Sequence, residues 1–387
     1  METVAKQPII DADTHWSEPH DLWTSLAPAK YRDLVPQIKE HRGKPMWVVN
    51  GDIPLAGDSA VSAIRPDGGK FPGIDFLKAD IDEVHPASYD CDARLAVMDE
   101  FDISHAIVYP NVGGFGNQRF LKIEDRDLRI ACVQIYNDWM SDLQSRSAGR
   151  ILPMALVPWW DIEACVQEVA RMHDLGARGV VMCSNPHDSG MPDFAQPQWR
   201  PFWEICEDLE MPINFHIGAS EGDIDWSGTV PYRTWSGDVK LTLGGAAIFL
   251  GQLRWMANLL VSDVPERHPK LKFVSVESGI GWIPFLLDAL DYQCGETAPE
   301  RLAHLSMKPS EYFTRQFYGC FWFEDRTLAP AIEQLGADCV MFETDYPHPT
   351  CLYPQSSERG RASVARLPED VQRKVLHDNA AQLYKIN

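Results

Sequence analysis

Asp13 and His15 are the first side chains in the sequence that could bind one metal ion together. Only Thr14 separates them, and they follow the apolar residues 8–10, which predict a short buried strand. Side chains alternate between the two faces of a strand, so residues two apart share a face. Divalent transition metals accept carboxylate oxygen and imidazole nitrogen as ligands. We therefore expect both side chains to converge on one cation where the strand ends.

Three more residues of metal-binding type stand at the carboxyl ends of strand-like runs. They are His216, Glu277 and Asp345, and each lies far from the others in the sequence. A barrel of eight parallel strands opens all its strand ends on one face, which would bring such residues together. The predicted metal ligands are therefore Asp13, His15, His216, Glu277 and Asp345.

Strand-like runs alternate with helix-like segments along most of the chain, which is typical of parallel βαβ units. About eight runs are recognisable: 9–11, 106–109, 152–157, 179–182, 213–215, 273–276, 320–323 and 340–342. The helical patterns lie between them, at 92–99, 126–143, 162–175, 199–209, 282–292 and 328–335. This order predicts an α/β fold, a TIM (β/α)8 barrel.

The connection after the first strand is longer than a barrel loop. Residues 17–89 are rich in proline, glycine and aspartate, and they predict an inserted subdomain that covers the barrel mouth. A second long polar connection, residues 221–239, follows His216. We expect residues 1–387 to form one domain around one core.

The composition excludes several classes of partner. With 45 % hydrophobic and 24 % charged residues the chain is an ordinary globular protein, and its net charge of -21 disfavours nucleic acid and anionic membranes. A membrane span is not expected, because no uncharged run approaches twenty residues. Nine cysteines without CxxC spacing indicate reduced thiols, which favours a cytoplasmic location.

Each of four other residues at the predicted mouth could have one of two roles, substrate binding or a structural role. His348 follows Asp345 by three residues and either contacts substrate or caps a turn. His187, Asn111 and Trp159 also follow strand-like runs and are candidates for substrate binding, although they could equally serve packing. Thirteen tryptophans favour a large apolar pocket for a bulky substrate, and several fall in predicted mouth segments: Trp16, Trp23, Trp47, Trp159, Trp160, Trp226 and Trp235.

The motifs resemble those of the amidohydrolase superfamily, in particular the branch that contains aminocarboxymuconate semialdehyde decarboxylase and the resorcylate-type decarboxylases. Residues 8–15 match its opening acid-x-His pattern, His216 its strand-five histidine, and residues 344–348 its strand-eight aspartate signature. The match extends to residues 379–384. The resemblance implies a metal-dependent barrel enzyme, and a homodimer.

One position departs from the resemblance. Where those decarboxylases carry a strand-six histidine, often treated as the general base, this chain has Glu277. Three carboxylates and two imidazoles would form a hard, anionic site suited to iron, manganese or zinc, with one or two ions. Alternatively, Glu277 hydrogen-bonds a ligating histidine instead of binding the metal itself.

The anionic ligand set favours hydrolysis of a carboxylic acid derivative, such as an ester, thioester, amide or lactone of a bulky hydrophobic or aromatic acid. A metal-bound water would attack the carbonyl, with Asp345 as base, Glu277 as the second candidate for that role, and His348 nearby. The resemblance favours the alternative, a non-oxidative decarboxylase or hydratase of an aromatic or unsaturated acid. A metal-free relative that only binds a ligand or a partner is a third hypothesis.

Overall fold

The eight predicted strands form a closed barrel in the computed structural model, which describes residues 7–223 and 234–386. The strands are β1 (Ile9–His15), β5 (Ile103–Tyr109), β6 (Ile151–Pro153), β7 (Ala155–Leu156), β8 (Val180–Val181), β9 (Ile213–His216), β10 (Phe273–Val276), β11 (Phe317–Phe321) and β12 (Val340–Phe342). One parallel sheet has the order β1, β5, β6, and a second runs from β7 through β8, β9, β10 and β11 to β12.

Two short links close the sheets into one cylinder. Only Met154 separates β6 from β7, so together they fill the third strand position. A parallel bridge between Thr14 and Tyr346 joins β1 to the chain just beyond β12. The α/β barrel predicted from the alternation of strands and helices is therefore the observed fold.

Helices surround the barrel, and several begin at aspartate caps. The Asp125 carboxylate accepts a hydrogen bond from the Leu128 backbone, and Asp161 accepts one from Ala164. The α-helices are α1 (Leu22–Leu26), α2 (Cys91–Glu100), α3 (Arg126–Arg146), α4 (Ile162–Asp174), α5 (Arg200–Asp208), α6 (Gly237–Phe249), α7 (Gln252–Leu260), α8 (Val264–Arg267), α9 (Ile283–Thr297), α10 (Pro309–Gln316), α11 (Leu328–Leu335), α12 (Ser356–Val364), α13 (Glu369–Arg373) and α14 (Asn379–Leu383). None of the helices in the described ranges is long and apolar enough to cross a membrane.

Two predicted strands are broken or displaced in the structure, whereas the others differ at most in the residues at which they begin or end. The run 152–157 is interrupted at Met154, next to Pro153, which has no N–H for a sheet ladder. The seventh barrel strand occupies Phe317–Phe321 and not 320–323, because Phe317 pairs with Phe273 in β10 while Phe323 has left the sheet. Hydrophobicity alone could not set this register, since residues on both sides of the boundary are aromatic.

Residues 17–89 contain a small antiparallel sheet that the sequence did not predict. It consists of β2 (Gln37–His41), β3 (Lys44–Val49) and β4 (Ile53–Gly57). Trp47 of β3 is buried against Trp23 of α1, with ring centroids 5.4 Å apart. Trp23 in turn lies against Tyr136 of α3, with ring centroids 6.0 Å apart, so aromatic packing attaches the sheet to the helices around the barrel. The role of residues 17–89 as a cover of the mouth stays a prediction.

Candidate metal centre

The five predicted ligands lie together at the carboxyl end of the barrel. Asp13 and His15 belong to β1, His216 ends β9, Glu277 follows β10, and Asp345 follows β12. All five side chains are buried, and the most accessible, Glu277, is only 6 % exposed. The strand ends therefore bring together residues that are separated by more than 300 positions in the sequence.

The polar atoms of these side chains face a common point. His216 Nε2 lies 3.0 Å from Glu277 Oε2 and 3.1 Å from His15 Nε2. Asp13 Oδ1 lies 3.7 Å from His15 Nε2 and 3.6 Å from His216 Nε2, and Asp345 Oδ1 lies 3.8 Å from His15 Nε2. Ligand atoms from two overlapping sets of four each lie within 4.8 Å of one another: Asp13, His15, His216 and Glu277, and His15, Glu277, Asp345 and His348.

The carboxylates of this cluster lack the partners that buried carboxylates normally have. Both oxygens of Asp13 are buried and accept no hydrogen bond from the residues that the structure describes, while Oε2 of Glu277 and Oδ1 of Asp345 face imidazoles of the cluster. Burial raises the pKa of Asp13, although the His216 imidazole partly opposes this, and burial together with the Asp345 carboxylate raises the pKa of Glu277 to about 7. Burying unpaired carboxylates is costly, so the donor set fits a divalent cation.

The orientation of His216 supports the same conclusion. Its Nδ1 lies 2.9 Å from the Ile217 carbonyl, which can only accept, so Nδ1 carries a hydrogen and Nε2 faces the cluster. Burial lowers the pKa of this imidazole, but Asp13 and Glu277 raise it to about 10. A proton thus balances part of the negative charge, and a cation binding at Nε2 would displace that proton. The cluster therefore has the donor types and the charge that a divalent metal needs.

Two of the proposed ligands have a backbone conformation that is rare for residues with side chains. Glu277 has φ 56° and Asp345 has φ 61°, both in the left-handed region. Buried contacts hold them there: Glu343 Oε2 accepts the Glu277 N–H at 3.1 Å, and the Asp345 N–H donates to the Asp13 carbonyl at 3.0 Å. Such strain persists only where surrounding contacts determine the conformation, as they do at functional sites.

His348 belongs to the cluster, although its sequence position left this undecided. Its ring stacks on His15 with centroids 3.7 Å apart, and its Nδ1 lies 2.9 Å from Asp345 Oδ1. Its Nε2 lies 2.9 Å from Asn111 Oδ1, and the Asn111 amide nitrogen donates to the Trp16 carbonyl at 2.8 Å. Because the amide orientation is fixed by that carbonyl, Nε2 of His348 must carry a hydrogen.

The His348 and Asp345 side chains consequently share a further proton. Nδ1 of His348 faces a carboxylate oxygen at hydrogen-bond distance, so one of the two atoms is protonated. Burial lowers the pKa of His348, but the carboxylates of Asp345, Glu277 and Asp13 raise it above its ordinary value. The site thus holds a transferable proton beside the proposed metal position.

Two of the predicted substrate-binding residues are not brought into the cluster. Trp159 does not line the opening, since it is fully buried and its indole N–H donates to the Gly116 carbonyl at 2.8 Å. His187 is 40 % exposed and lies 3.8 Å from Asp188. Substrate binding by His187 stays a prediction, whereas Asn111 lies beside the cluster through its bond to His348.

The other tryptophans mostly pack and do not line an apolar pocket. Trp16, Trp23 and Trp47 are completely buried, and the Trp23 indole donates to the Cys132 carbonyl. Trp235 is 46 % exposed, and Trp226 lies outside the described residues. The number of tryptophans therefore reflects packing around the barrel, and it is weak support for a bulky substrate.

Phe115 is a site residue that sequence reasoning missed. It lies in the loop after β5, with ring centroids 4.4 Å from His216, 5.2 Å from His15 and 5.9 Å from His348. An aromatic residue among glycines has no periodic pattern that would assign it a direction. The glycine-rich sequence Gly113-Gly114-Phe115-Gly116 after a predicted strand was the available signal.

The chain matches a known protein family and known proteins over most of its length. A family model described as amidohydrolase matches residues 10–386. Gamma-resorcylate decarboxylase of Rhizobium radiobacter is 27 % identical over 349 residues, which cover 88 % of this chain and 99 % of that protein. The chain is thus similar over nearly its whole length to an enzyme that acts on an aromatic acid.

Solved structures resemble the same barrel. An amidohydrolase from Mycobacterium avium subsp. paratuberculosis has a TM-score of 0.78 at 24 % identity, covering 98 % of this chain and 100 % of that one. A dihydroxybenzoic acid decarboxylase from a Polaromonas species, solved with bound manganese and the inhibitor 2-nitroresorcinol, has a TM-score of 0.67 at 20 % identity, covering 98 % of both chains. At these identities the likeness establishes the fold.

Proposed function

Because the chain belongs to the amidohydrolase family, we propose that it is a divalent-metal-dependent carboxy-lyase that removes carbon dioxide from a hydroxylated aromatic acid. The observation that carries the proposal is the buried cluster in which carboxylates and imidazoles converge beside a proton shared by His348 and Asp345. The full-length similarity to gamma-resorcylate decarboxylase supports this reaction over the hydrolysis favoured by the ligand set alone.

Asp13, His15, His216, Glu277 and Asp345 would hold the cation. Manganese is the first candidate because a structural relative binds it, and iron and zinc suit the same donors. When bound, the cation would attract the substrate carboxylate and a neighbouring hydroxyl oxygen and neutralise their charge. Glu277 is a ligand in this proposal, because its Oε2 lies 3.0 Å from Nε2 of His216, the nitrogen that faces the cluster. A carboxylate that only orients a ligating histidine would contact Nδ1, which here bonds to the Ile217 carbonyl.

The His348 and Asp345 pair supplies the proton that decarboxylation consumes. The proton moves to the ring carbon that bears the carboxylate, and the bond from that carbon to the carboxylate then breaks. The electron pair of the broken bond restores the aromatic ring, and carbon dioxide leaves. The reaction exchanges the carboxylate for one proton, so no oxidant or reductant is needed, and solvent returns the proton to the pair.

Hydrolysis of an ester, thioester, amide or lactone is the second candidate function. Glu277 favours it, because this carboxylate stands where the resembling decarboxylases have a histidine, and the site then carries three carboxylates that could accept a proton from water. In that reaction Asp345 would be the base. The two candidates use the same metal ligands and differ in the product that they release.

Product analysis distinguishes the two candidates. The protein is stripped of metal, reloaded with manganese, and incubated with 2,6-dihydroxybenzoate and its isomers, and in parallel with phenyl esters and thioesters of benzoic acids. We expect carbon dioxide and the corresponding phenol from a hydroxybenzoate. Release of acid from the esters without carbon dioxide from any of the acids would overturn the proposal in favour of hydrolysis.

The Asp345→Asn variant tests the assigned proton donor. It should lower turnover at least about 100-fold, because the amide cannot share a proton with His348, while the amide oxygen still lets most of the metal bind. Asp174→Asn is the matched control, since Asp174 is 85 % exposed on the outer helix layer. Full activity of Asp345→Asn with normal metal content would show that the assignment is wrong.

We also propose that residues 17–89 cover the mouth within a single domain of residues 1–387. The Ala63 N–H donates to the Pro347 carbonyl at 2.8 Å, and the Lys70 ammonium donates to the Cys351 carbonyl, so this segment contacts the loop that carries His348. Slower amide exchange of residues 58–72 after addition of manganese and an acid would support the cover.

The predicted homodimer is tested by sedimentation at several concentrations.

A further inference from the structure

The loop that carries Phe115 is held by its neighbours on two sides. A side chain at Gly116 would place its Cβ 2.4 Å from the Ala219 carbonyl oxygen and 2.8 Å from Cys183 Cα, so the loop backbone lies directly against the chain after β8 and β9. The Trp159 indole donates to the Gly116 carbonyl at 2.8 Å. Glycine is required at this position, and Trp159 acts as a support for the loop.

Two buried amides complete the attachment. Gln118 donates to the Gly218 carbonyl at 3.0 Å and accepts the Gly116 N–H at 3.1 Å. Asn117 donates to the Val157 carbonyl at 2.9 Å. The loop after β5 is therefore connected to the chain after β7 and to the chain after β9, and the position of Phe115 is determined before any ligand binds.

Phe115 is partly exposed, whereas Gly114 and Gly116 on either side of it are buried. Its ring lies over His216 and His15, tilted 39° and 58° from the two imidazole planes. Because the loop follows the carboxyl end of a barrel strand, the ring stands on the side from which a ligand reaches the cation. An acid whose carboxylate binds there must extend past this ring.

We propose that Phe115 forms one wall of the subsite for the substrate's ring and selects planar aromatic acids over saturated acids of the same size. The inference rests on the proposed function in assuming that the acid binds through its carboxylate at the cation. Aromatic rings prefer offset or edge contacts with centroids about 4.5–7 Å apart, and the held loop presents such a surface without a cost in ordering. A saturated ring is thicker than a planar one and would collide with Phe115 or tilt away from the cation.

The test compares two inert probes that differ in planarity. Benzoate and cyclohexanecarboxylate have the same number of carbon atoms and the same charge, and their binding to the manganese-loaded full chain is measured by titration calorimetry. We expect the wild-type protein to bind benzoate about tenfold more tightly, and Phe115→Leu to reduce this ratio to about one. Leucine keeps an apolar side chain of similar length, so the fold should survive.

Phe285→Leu is the matched control, because Phe285 is 75 % exposed on α9. It should leave the ratio unchanged, and metal content should equal that of the wild type in both variants. An unchanged ratio in Phe115→Leu, or a wild-type protein that prefers neither probe, would overturn the inference. Since no turnover is measured, a protein that binds benzoate through Phe115 but releases no carbon dioxide from any hydroxybenzoate would contradict only the proposed function.

Discussion

Two sets of buried carboxylates in this protein differ in what surrounds them. Glu168 on α4 is 1 % exposed, and it accepts hydrogen bonds from Asn137 at 2.7 Å and from two nitrogens of Arg171 at 2.9 and 2.6 Å. Asp13 is completely buried as well, but neither of its oxygens accepts a hydrogen bond from a described residue. The difference lies in the partners and not in the degree of burial.

Buried carboxylates with hydrogen-bond donors stabilise the fold, whereas those without donors destabilise it unless a cation binds. Arg171, the charged partner of Glu168, comes from the same helix, three residues further on, so this pair forms as soon as the helix does. The carboxylates at the strand ends gather only when the barrel closes, and their neighbours are other carboxylates and imidazoles. Their free energy cost remains until a cation binds.

The largest effect should follow from metal itself. Manganese at about a thousand times its Kd should raise the free energy of unfolding by about 4 kcal/mol over the metal-free protein, because only the folded chain assembles the ligands. Thermal and urea unfolding before and after chelation measure this difference. Glu168→Gln should keep the full metal response and Asp13→Ala should lose most of it. A metal response in Asp13→Ala equal to that of the wild type would break the comparison.

Removing the satisfied carboxylate should have the next largest effect. Glu168→Ala leaves Arg171 and Asn137 without their partner and should lower the free energy of unfolding by about 3 kcal/mol, equally with and without metal. Urea titration of both forms provides the measurement. Glu163→Ala, on the exposed face of the same helix, is the control and should change stability by less than about 1 kcal/mol. A loss seen only in the metal-loaded form would contradict this reading.

A smaller effect is expected from a residue that orients a ligand. The Thr350 hydroxyl donates to Asp345 Oδ2 at 2.9 Å, which leaves Oδ1 facing the cluster. Thr350→Val keeps the shape of the side chain, and it should weaken manganese binding about tenfold, as loss of such supporting contacts commonly does. Competition with a chelator of known affinity measures this change. Thr314→Val, on α10 with its hydroxyl bonded to the Ser310 carbonyl, should leave the affinity unaltered.

The smallest effect has the opposite sign. Glu277→Gln should raise the stability of the metal-free protein by about 1 kcal/mol, because it removes one of several like charges from a buried site. The same variant should bind manganese more weakly. Unfolding of the metal-free protein in urea measures the first effect. If Glu277→Gln destabilised the metal-free form as strongly as Glu168→Ala, the carboxylates at the strand ends would stabilise the fold as Glu168 does.

The barrel and the cluster were largely predictable from local pattern. The two-residue spacing of Asp13 and His15 determines that they share a face, since alternation is a property of any strand. The strand-like runs before His216 and Asp345 identified two further strand ends whose side chains lie near Asp13 and His15. By contrast, the true limits of β11, the sheet of β2, β3 and β4, and the break at Met154 depend on which strands pair, which no local pattern specifies.

Contacts between loops were the part that sequence reasoning could not reach. The sequence does not decide between substrate contact and turn capping for His348, because a turn containing Pro347 does not reveal that the imidazole contacts Asn111, more than 200 residues away. The sequence likewise leaves Trp159 open between substrate binding and packing, and in the structure its indole supports the loop of Phe115. Loop side chains lack periodicity, so their direction follows from neighbours that come from other strand connections.

By itself the sequence determined the class of fold and the residue types at the strand ends, because these follow from spacing along single strands and from side-chain chemistry. The family resemblance identified Glu277 as a carboxylate in the place of an expected histidine. The tertiary structure decided that Asp13 lacks hydrogen-bond donors, that His348 shares a proton with Asp345, and that Phe115 stands over the imidazoles. These properties depend on distances between residues that are remote in the chain, and such distances exist only after the barrel has closed.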